Sequence, residues 1–366
     1  MSFLSHFSEV TDPRTQINVQ HDFIDVIFLT VSAVLSGAEG WSDIEVFGRD
    51  KLDWLRQYRP FENGIPVDDT IARIVRVICP EQLNKAFMNW VNEVRVETGK
   101  PQIAIDGKTL RHSYDGDKQT ALHSITAWSK DAGLVLAQLK SSGKKNENAS
   151  VLDLLDTLNI KGALISADAM NSQKKIVEKI SSENADYVLC IKNNHKQLRD
   201  EIAAYFHKVE RDNPAWIACN EQTDSGHGRI EVRRCQQLRV SEWISEAQHW
   251  KGIRSVIKIE RERHLKDKEV STETQYYISS LDIDPAAVNQ AIRAHWEVEN
   301  KVHWVLDVTF KEDDSRIRKE DGAENVGVIR RFCLNMARLH PKKASMRSKL
   351  KMAGWADEFR AELIFG

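Results

Sequence analysis

The chain has 366 residues, 41% of them hydrophobic and 29% charged, with a formal net charge of -2. These values exclude a disordered or fibrous chain, and at roughly 150 residues per domain the length suggests two or three domains. Near-balanced charge gives no overall nucleic-acid signature, and five scattered cysteines match neither a zinc site nor a disulfide framework, so they read as reduced thiols in a cytoplasm.

Residues 1–99 read as helical. Asp25 to Leu35 is one helix; the apolar run Val26 to Ala38 is too short to span a bilayer and is interrupted by Thr30, Ser32 and Ser36. No basic start precedes an apolar segment at the N-terminus, so export is not expected. Trp41 to Leu55 is a second helix. Asp68, Asp69 and Thr70 after Pro66 mark a helix start at which a short side chain caps the orphan amides. Leu83, Phe87, Trp90, Val91 and Val94 form a further helical stripe.

At Pro101 the pattern changes to short apolar runs. Gln102 to Asp106, Leu122 to Trp128 and Leu134 to Leu139 read as a three-strand antiparallel meander. Val151 to Leu158 follows as a helix, Ala163 to Asp168 as a buried strand, Asn171 to Ile180 as a helix, Asp186 to Ile191 as a strand and Lys196 to Phe206 as a helix. That order, β-β-β-α-β-α-β-α, is the order of a ribonuclease H-like fold. Between 207 and 281 the runs Ile230 to Leu238, Ile253 to Arg261 and Thr274 to Ser280 form a β-rich insertion, after which Asp284 and Pro285 open a helix. The reading is an α/β protein: a helical N-terminal domain (1–99), a ribonuclease H-like core (100–206 and 282–345) carrying the insertion (207–281), and a C-terminal tail (346–366).

Ile292 to Arg316 reads as a helix running into a strand. Ile292, Trp296, Glu299 and His303 share one helical face, which places Glu299 partly buried between aromatic neighbours and in need of a cation, a donor or a metal. The plainer alternative is a charged face with indoles packed inward. Asp106 and Asp168 each end a strand, where an Asp ordinarily caps a turn. In a ribonuclease H-like sheet, however, the first strand is central, the fourth lies beside it, and a late helix crosses the same end. Three carboxylates meeting there repel unless divalent cations neutralise them, and oxygen ligands suit Mg²⁺ or Mn²⁺. Two such ions roughly 3.5 to 4 Å apart stabilise an in-line phosphoryl displacement. From Ser315 to Lys351 eleven Lys and Arg face only Glu320, Asp321 and Glu324, a basic stretch that is either a solvated face or a phosphate contact.

The segments IAIDGKTLR (Ile103 to Arg111), ISADAMNSQKKI (Ile165 to Ile176), DYVLCIKNNH (Asp186 to His195), SGHGRIEVR (Ser225 to Arg233) and HWEVENKVHWVLDVTFKED (His295 to Asp313) resemble the insertion-sequence DDE transposases, and within them the H-repeat-associated group of Rhs elements. The resemblance covers nearly the whole chain. It implies that Asp106, Asp168 and Glu299 bind the metal ions. Glu299 is preferred to Glu297 because the group's pattern of Trp, any residue, an aliphatic and Glu falls on Trp296 to Glu299. Two residues on a helix turn the side chain by about 200°, so both Glu cannot face one site. The Tyr-Arg-Lys signature of a related group is absent, since Ile292, His295 and Leu306 stand in those places; His295, Asn300 and His303 are the polar residues available instead. The implied activity is cleavage at transposon ends and strand transfer into target DNA. The implied partners are terminal inverted repeats and target DNA, handled by a homodimer or larger assembly on the bacterial nucleoid, with no membrane. The alternatives are a structure-selective nuclease that cuts without joining, and a non-catalytic DNA-binding derivative. Candidate DNA contacts are Lys108, Lys192, Asn194 with its neighbours Asn193 and His195, Arg229 in the Gly226 to Arg229 loop, and Arg316 in the basic stretch. In the insertion they continue with Arg233, Arg234, Lys251, Arg254, Lys258, Arg261 and Arg263.

Overall fold

A computed structural model describes residues 3–15, 19–96, 99–114, 121–141, 147–226, 229–265 and 269–366. Helices α1 (Phe3–Phe7), α2 (Phe23–Leu35), α3 (Trp41–Asp50), α4 (Leu52–Leu55), α5 (Asp68–Arg76) and α6 (Pro80–Val94) precede the first strand. The side chain of Asp22 accepts from the amide of Asp25 to open α2, which is apolar on nearly every side and buried almost throughout. The expected Trp41 to Leu55 helix is broken at Lys51. Helix α5 starts where expected, but its N-cap is Val67, which caps nothing through its side chain. Asp68 instead accepts from the next amide and, with Asp69, lies in the first turn, where negative charge suits the helix dipole.

Strands β1 (Gln102–Thr109), β2 (His123–Ser129) and β3 (Leu134–Ser141) form the expected meander. Helix α7 (Glu147–Thr157) leads to β4 (Leu164–Ala167), α8 (Lys174–Ser182) to β5 (Asp186–Ile191), and α9 (Lys196–Asp212) follows. β4 pairs parallel with β1 on one side and β5 on the other. The crossovers through α7 and α8 are what parallel neighbours require. Strands β6 (Ala218–Gly226), β7 (Arg229–Arg239), β8 (Ser255–Leu265) and β9 (Ser271–Ser279) continue the same sheet, because β9 pairs antiparallel with β5. The order across all nine strands is β3-β2-β1-β4-β5-β9-β8-β7-β6. The first half of β8 is buried and the second half is not, so the far ends of these strands stand out from the core as an arm.

Helix α10 (Pro285–His295) is capped by Asp284, whose side chain accepts from the Ala287 amide. After a turn at Trp296 the chain makes one π-helical turn, Glu299–His303, and continues as α11 (Trp304–Val308). The strand expected in this region is therefore a helix: Val302, Leu306 and Phe310 are buried at spacings of four, and that burial outweighs the strand preference of the β-branched Val305, Val308 and Thr309. Helix α12 (Gly322–Leu339) is buried almost throughout and packs against α2, α5, α6 and β3. The residues read as a tail form α13 (Met346–Trp355) and α14 (Asp357–Phe365), which close over α2 and α12. One hydrophobic cluster runs from Phe3 through the sheet to Ile364.

Gly107 in β1 marks a close approach: a Cβ there would lie 2.6 Å from Glu147 Oε1 and 2.8 Å from His123 Nε2. Both neighbours are buried, so Gly107→Ala should cost about 1–3 kcal/mol of stability as a local overpacking, measurable by urea unfolding.

Candidate active site

The sheet brings the first two acids together. In the β1–β4 pairing Ile105 lies opposite Ala167, so Asp106 and Asp168 each follow one member of a matched pair on strands about 4.8 Å apart. Both side chains are half-buried. Burial foremost pushes the Asp106 carboxyl up to about 6; the negative charges of Asp168 and Glu299 add to the rise and His303 opposes it. Asp168 is raised as well, mainly by burial with a contribution from Glu147, against hydrogen bonding from the Asn171 amide and the charge of Lys192. Two acids disfavoured in their ionised forms at one sheet end form a site short of positive charge.

The third acid arrives on the π-helical turn, a distortion that concentrates at functional sites. His303 Nδ1 lies 3.0 Å from Glu299 Oε2 and 3.4 Å from Asp106 Oδ2. Ligand atoms of Asp106, Glu299 and His303 all fall within 4.8 Å of one another. Asp168 is outside that trio, although its charge acts on Asp106. Glu299 is not the partly buried residue the helical face suggested. Its side chain is 61% exposed while that of His303 is 4% exposed, because the break after α10 separates Ile292 and His303, which face inward, from Trp296 and Glu299, which face out. The hydrogen bond from His303 foremost holds the Glu299 carboxyl below its ordinary range.

The other expected contacts divide. Lys108 is buried, and its ammonium meets Asp307, Glu312 at 3.0 Å and Asp313 at 3.6 Å. Its charge is compensated within the fold, and it ties β1 to the chain after α11. His295 is also buried, 3.2 Å from Ser166 Oγ, and burial lowers it to about 4, so it is a neutral packing residue between α10 and β4. Asn194 donates to the Ala169 carbonyl and His195 Nε2 lies 2.6 Å from the Ser172 carbonyl, so both pin the loop that carries Asp168. Lys192, Asn300 and Arg316 are exposed. His227, Gly228 and the Arg229 side chain lie outside the described residues. The basic C-terminal stretch is only partly a surface: Arg330, Arg331 and Lys349 are buried, and Lys349 donates to the carbonyls of Ala337 and His340.

Strand alternation sorts the arginines of the arm. Arg233 pairs across the sheet with Arg261 and Glu231 with Arg263, which puts these four on one face. Arg234 and Lys258 take the other face, occupied by Glu221, Glu260 and Glu210. Glu231 lies 2.7 Å from Arg233, 3.5 Å from Arg261 and 3.3 Å from Arg263. Glu273 is a second carboxylate, 3.6 Å from Arg261, so three guanidiniums meet two carboxylates and one positive charge is left over. This face lines a cleft of about 670 Å³ whose other wall carries Arg293, Trp296, Glu297, Glu299, Asn300 and Lys301. Both glutamates border the cleft, but only Glu299 is in the trio with Asp106 and His303.

Glu147, His123 and Asn171 went unread in the sequence. They are buried behind Asp168 and hydrogen-bonded to one another and to it. The one local signal was the Asp168 to Asn171 spacing, which suits a side-chain-stabilised turn.

A sheet with this order, carrying one acid within β1 just past the end of its pairing with β4, a second just after β4 and a third on a crossing helix, defines a ribonuclease H-like DDE fold; β1 runs on to Thr109, so Asp106 does not end its strand as expected. Residues 97–336 match the family described as transposase DDE domain, and residues 4–91 match the DDE transposase-associated family. The chain belongs to the DDE transposase family. It is 40% identical to the H repeat-associated putative transposase YhhI of Escherichia coli K12, over 99% of this chain and 97% of that protein. The putative transposase YncI of Escherichia coli O157:H7 is also 40% identical, over 92% of this chain and 87% of its own. A shorter relative, the inactive transposase YbfQ of Escherichia coli K12, is 56% identical but covers only 20% of this chain. Among the described residues no helix is long and apolar enough to cross a membrane.

Proposed function

We propose that the protein is an active, divalent-metal-dependent DNA transposase that cleaves at transposon ends and joins the freed 3′ hydroxyl to target DNA. The observation that carries this reading is the convergence of Asp106, Glu299 and His303 within 4.8 Å beside Asp168, in a site where burial foremost, with neighbouring negative charge, holds Asp106 and Asp168 above the usual carboxylate range. Carboxylate oxygens suit Mg²⁺ or Mn²⁺, and Asp106, Asp168 and Glu299 would hold the ions. Such ions stabilise the attacking and leaving oxygens of a displacement at phosphorus. His303 donates from Nδ1 to Glu299 and so sets the direction of an otherwise exposed carboxylate. In this reading DNA phosphates follow the arginine-lined cleft past Glu299, and Trp296 on its wall supplies an aromatic face. Two copies of the chain acting on paired ends accord with the chemistry, which must handle two element ends.

Incubation of the protein with duplexes from the borders of its own genetic element, a target plasmid and Mg²⁺ tests the reading. Joined products are expected; cleavage without joining would favour a structure-selective nuclease, and binding alone a non-catalytic derivative. The cleft has its own test. Arg263→Ala should weaken binding to all duplexes similarly and flatten the dependence of log affinity on log salt by roughly one unit, the share of one phosphate contact. An unchanged slope would remove Arg263 from the DNA path.

A further inference from the structure

Behind the two aspartates runs a chain of polar side chains that the catalytic reading does not use. Thr109 Oγ1 lies 2.9 Å from His123 Nδ1, and His123 Nε2 lies 2.8 Å from Glu147 Oε2. Glu147 Oε1 accepts from Asn171 Nδ2 at 2.7 Å. Asn171 then donates twice to Asp168 Oδ1, from Nδ2 and from its backbone amide, each at 3.1 Å. His123 and Glu147 are each 4% exposed and Asn171 is fully buried. The same Glu147 oxygen packs against Gly107, the residue after Asp106, closely enough to exclude a Cβ.

A buried carboxylate is expensive unless its oxygens are satisfied. Glu147 is the first residue of α7, and the helix terminus accounts for part of its negative charge. That does not account for an Asn171 amide shared between Glu147 and Asp168. A buried network with every link directed restricts its members to one geometry. Here the member at the end is the acid on a loop, whereas Asp106 sits within a paired strand and needs less support.

We propose that Glu147 and Asn171 are positioning residues for Asp168: Glu147 orients the Asn171 amide, and Asn171 engages Asp168 Oδ1 and so fixes the carboxylate that would hold a metal ion. The proposal rests on the metal-dependent reading above. Partners of this kind typically contribute 10- to 100-fold in metal affinity or activity. Glu147→Gln discriminates the hydrogen bond from the charge. Its amide oxygen still accepts from Asn171, and its NH₂ is accommodated if His123 adopts the other tautomer, accepting at Nε2 and donating from Nδ1 to Thr109.

The test compares full-length unmodified protein, Glu147→Ala, Glu147→Gln and Asn171→Ala by amide hydrogen exchange and by Mn²⁺ affinity from the electron paramagnetic resonance of free Mn²⁺. In Glu147→Ala the Asn171 amide should exchange at least about tenfold faster while Ile165 to Ala167 keep their protection, and Mn²⁺ affinity should fall about 10- to 100-fold, as it should in Asn171→Ala. Glu147→Gln should recover most of both losses. Unchanged exchange and unchanged Mn²⁺ affinity in folded Glu147→Ala would overturn the proposal. So would a Glu147→Gln as impaired as Glu147→Ala, because charge rather than the directed bond would then be responsible. If the unmodified protein binds no Mn²⁺, the metal reading fails by itself, and the exchange of the Asn171 amide still decides whether the chain of bonds holds the Asp168 loop.

Discussion

Asp106→Asn is expected to abolish DNA cleavage and, near neutral pH without metal, to make the protein more stable by on the order of 2 kcal/mol. The reason is the position of this carboxyl. It is half-buried within β1, just past the end of the pairing with β4, beside two other acids, and burial first, then those charges, push it from 3.8 up to about 6. A raised carboxyl means that the folded protein binds more protons than the unfolded chain between about pH 4 and about pH 6. Stability associated with the neutral form is therefore fully present below pH 4 and is lost as pH rises through 6. Asparagine imitates the neutral form at every pH, so the gain should vanish below pH 4. Mn²⁺ should stabilise the unmodified protein and do little for the variant. Thermal unfolding of both proteins across this pH range, with and without Mn²⁺, reads all of these effects. A variant less stable than its parent at neutral pH would show that Asp106 is satisfied within the fold and that the site is not short of positive charge.

The largest loss of stability is expected from Glu312→Ala, about 3–5 kcal/mol. Glu312 lies 2.7 Å from Arg331 Nη1 and 3.0 Å from Lys108 Nζ, and neither its own side chain nor that of Arg331 has any exposure. Burial alone would raise this carboxyl, but Arg331, then Lys108 and Arg330, outweigh burial and hold it at about 2. Alanine leaves the Arg331 guanidinium buried without its carboxylate. The sign with pH is opposite to that of Asp106. A depressed carboxyl contributes stability above about pH 4.5 that is lost as pH falls toward 2, so the difference between parent and variant should narrow on acidification. Urea unfolding at neutral and acid pH measures it. The variant should also lose activity, because Lys108 and Glu312 connect the strand of Asp106 to the chain that follows Glu299.

Much of this was legible in the sequence because the relevant runs obey one period each. The meander and the strand before Asp168 alternate with clear turns and helices, and their order places Asp106 beside Asp168. Strand β6 was missed because its residues, ACNEQTDSG, are mostly exposed and carry no apolar signal. The strand expected after His303 failed because local β preference yielded to burial every fourth residue. Charges were the least legible feature. Arg331, Arg330, Lys349 and Lys108 read as surface or DNA-facing bases, but each is buried against carboxylates or carbonyls distant in sequence or on an earlier turn. The arm arginines show the converse: alternation along β7 and β8 puts Arg233, Arg261 and Arg263 on the cleft and turns Arg234 and Lys258 away. Glu299 was identified by motif and its partner His303 by a spacing of four, whereas its exposure follows from the break after α10 and the π-helical turn that follows it.

Of the three acids, Asp168 is the one the geometry leaves outside the closest cluster, so its replacement tests the account most directly. Single-turnover cleavage of an element-end duplex by Asp168→Ala in Mn²⁺, with binding to the same duplex measured in parallel, should show cleavage reduced by roughly a thousandfold and binding unchanged or tighter, since negative charge is removed beside phosphate. Cleavage by Asp168→Ala at the rate of the unmodified protein would contradict the three-acid metal site.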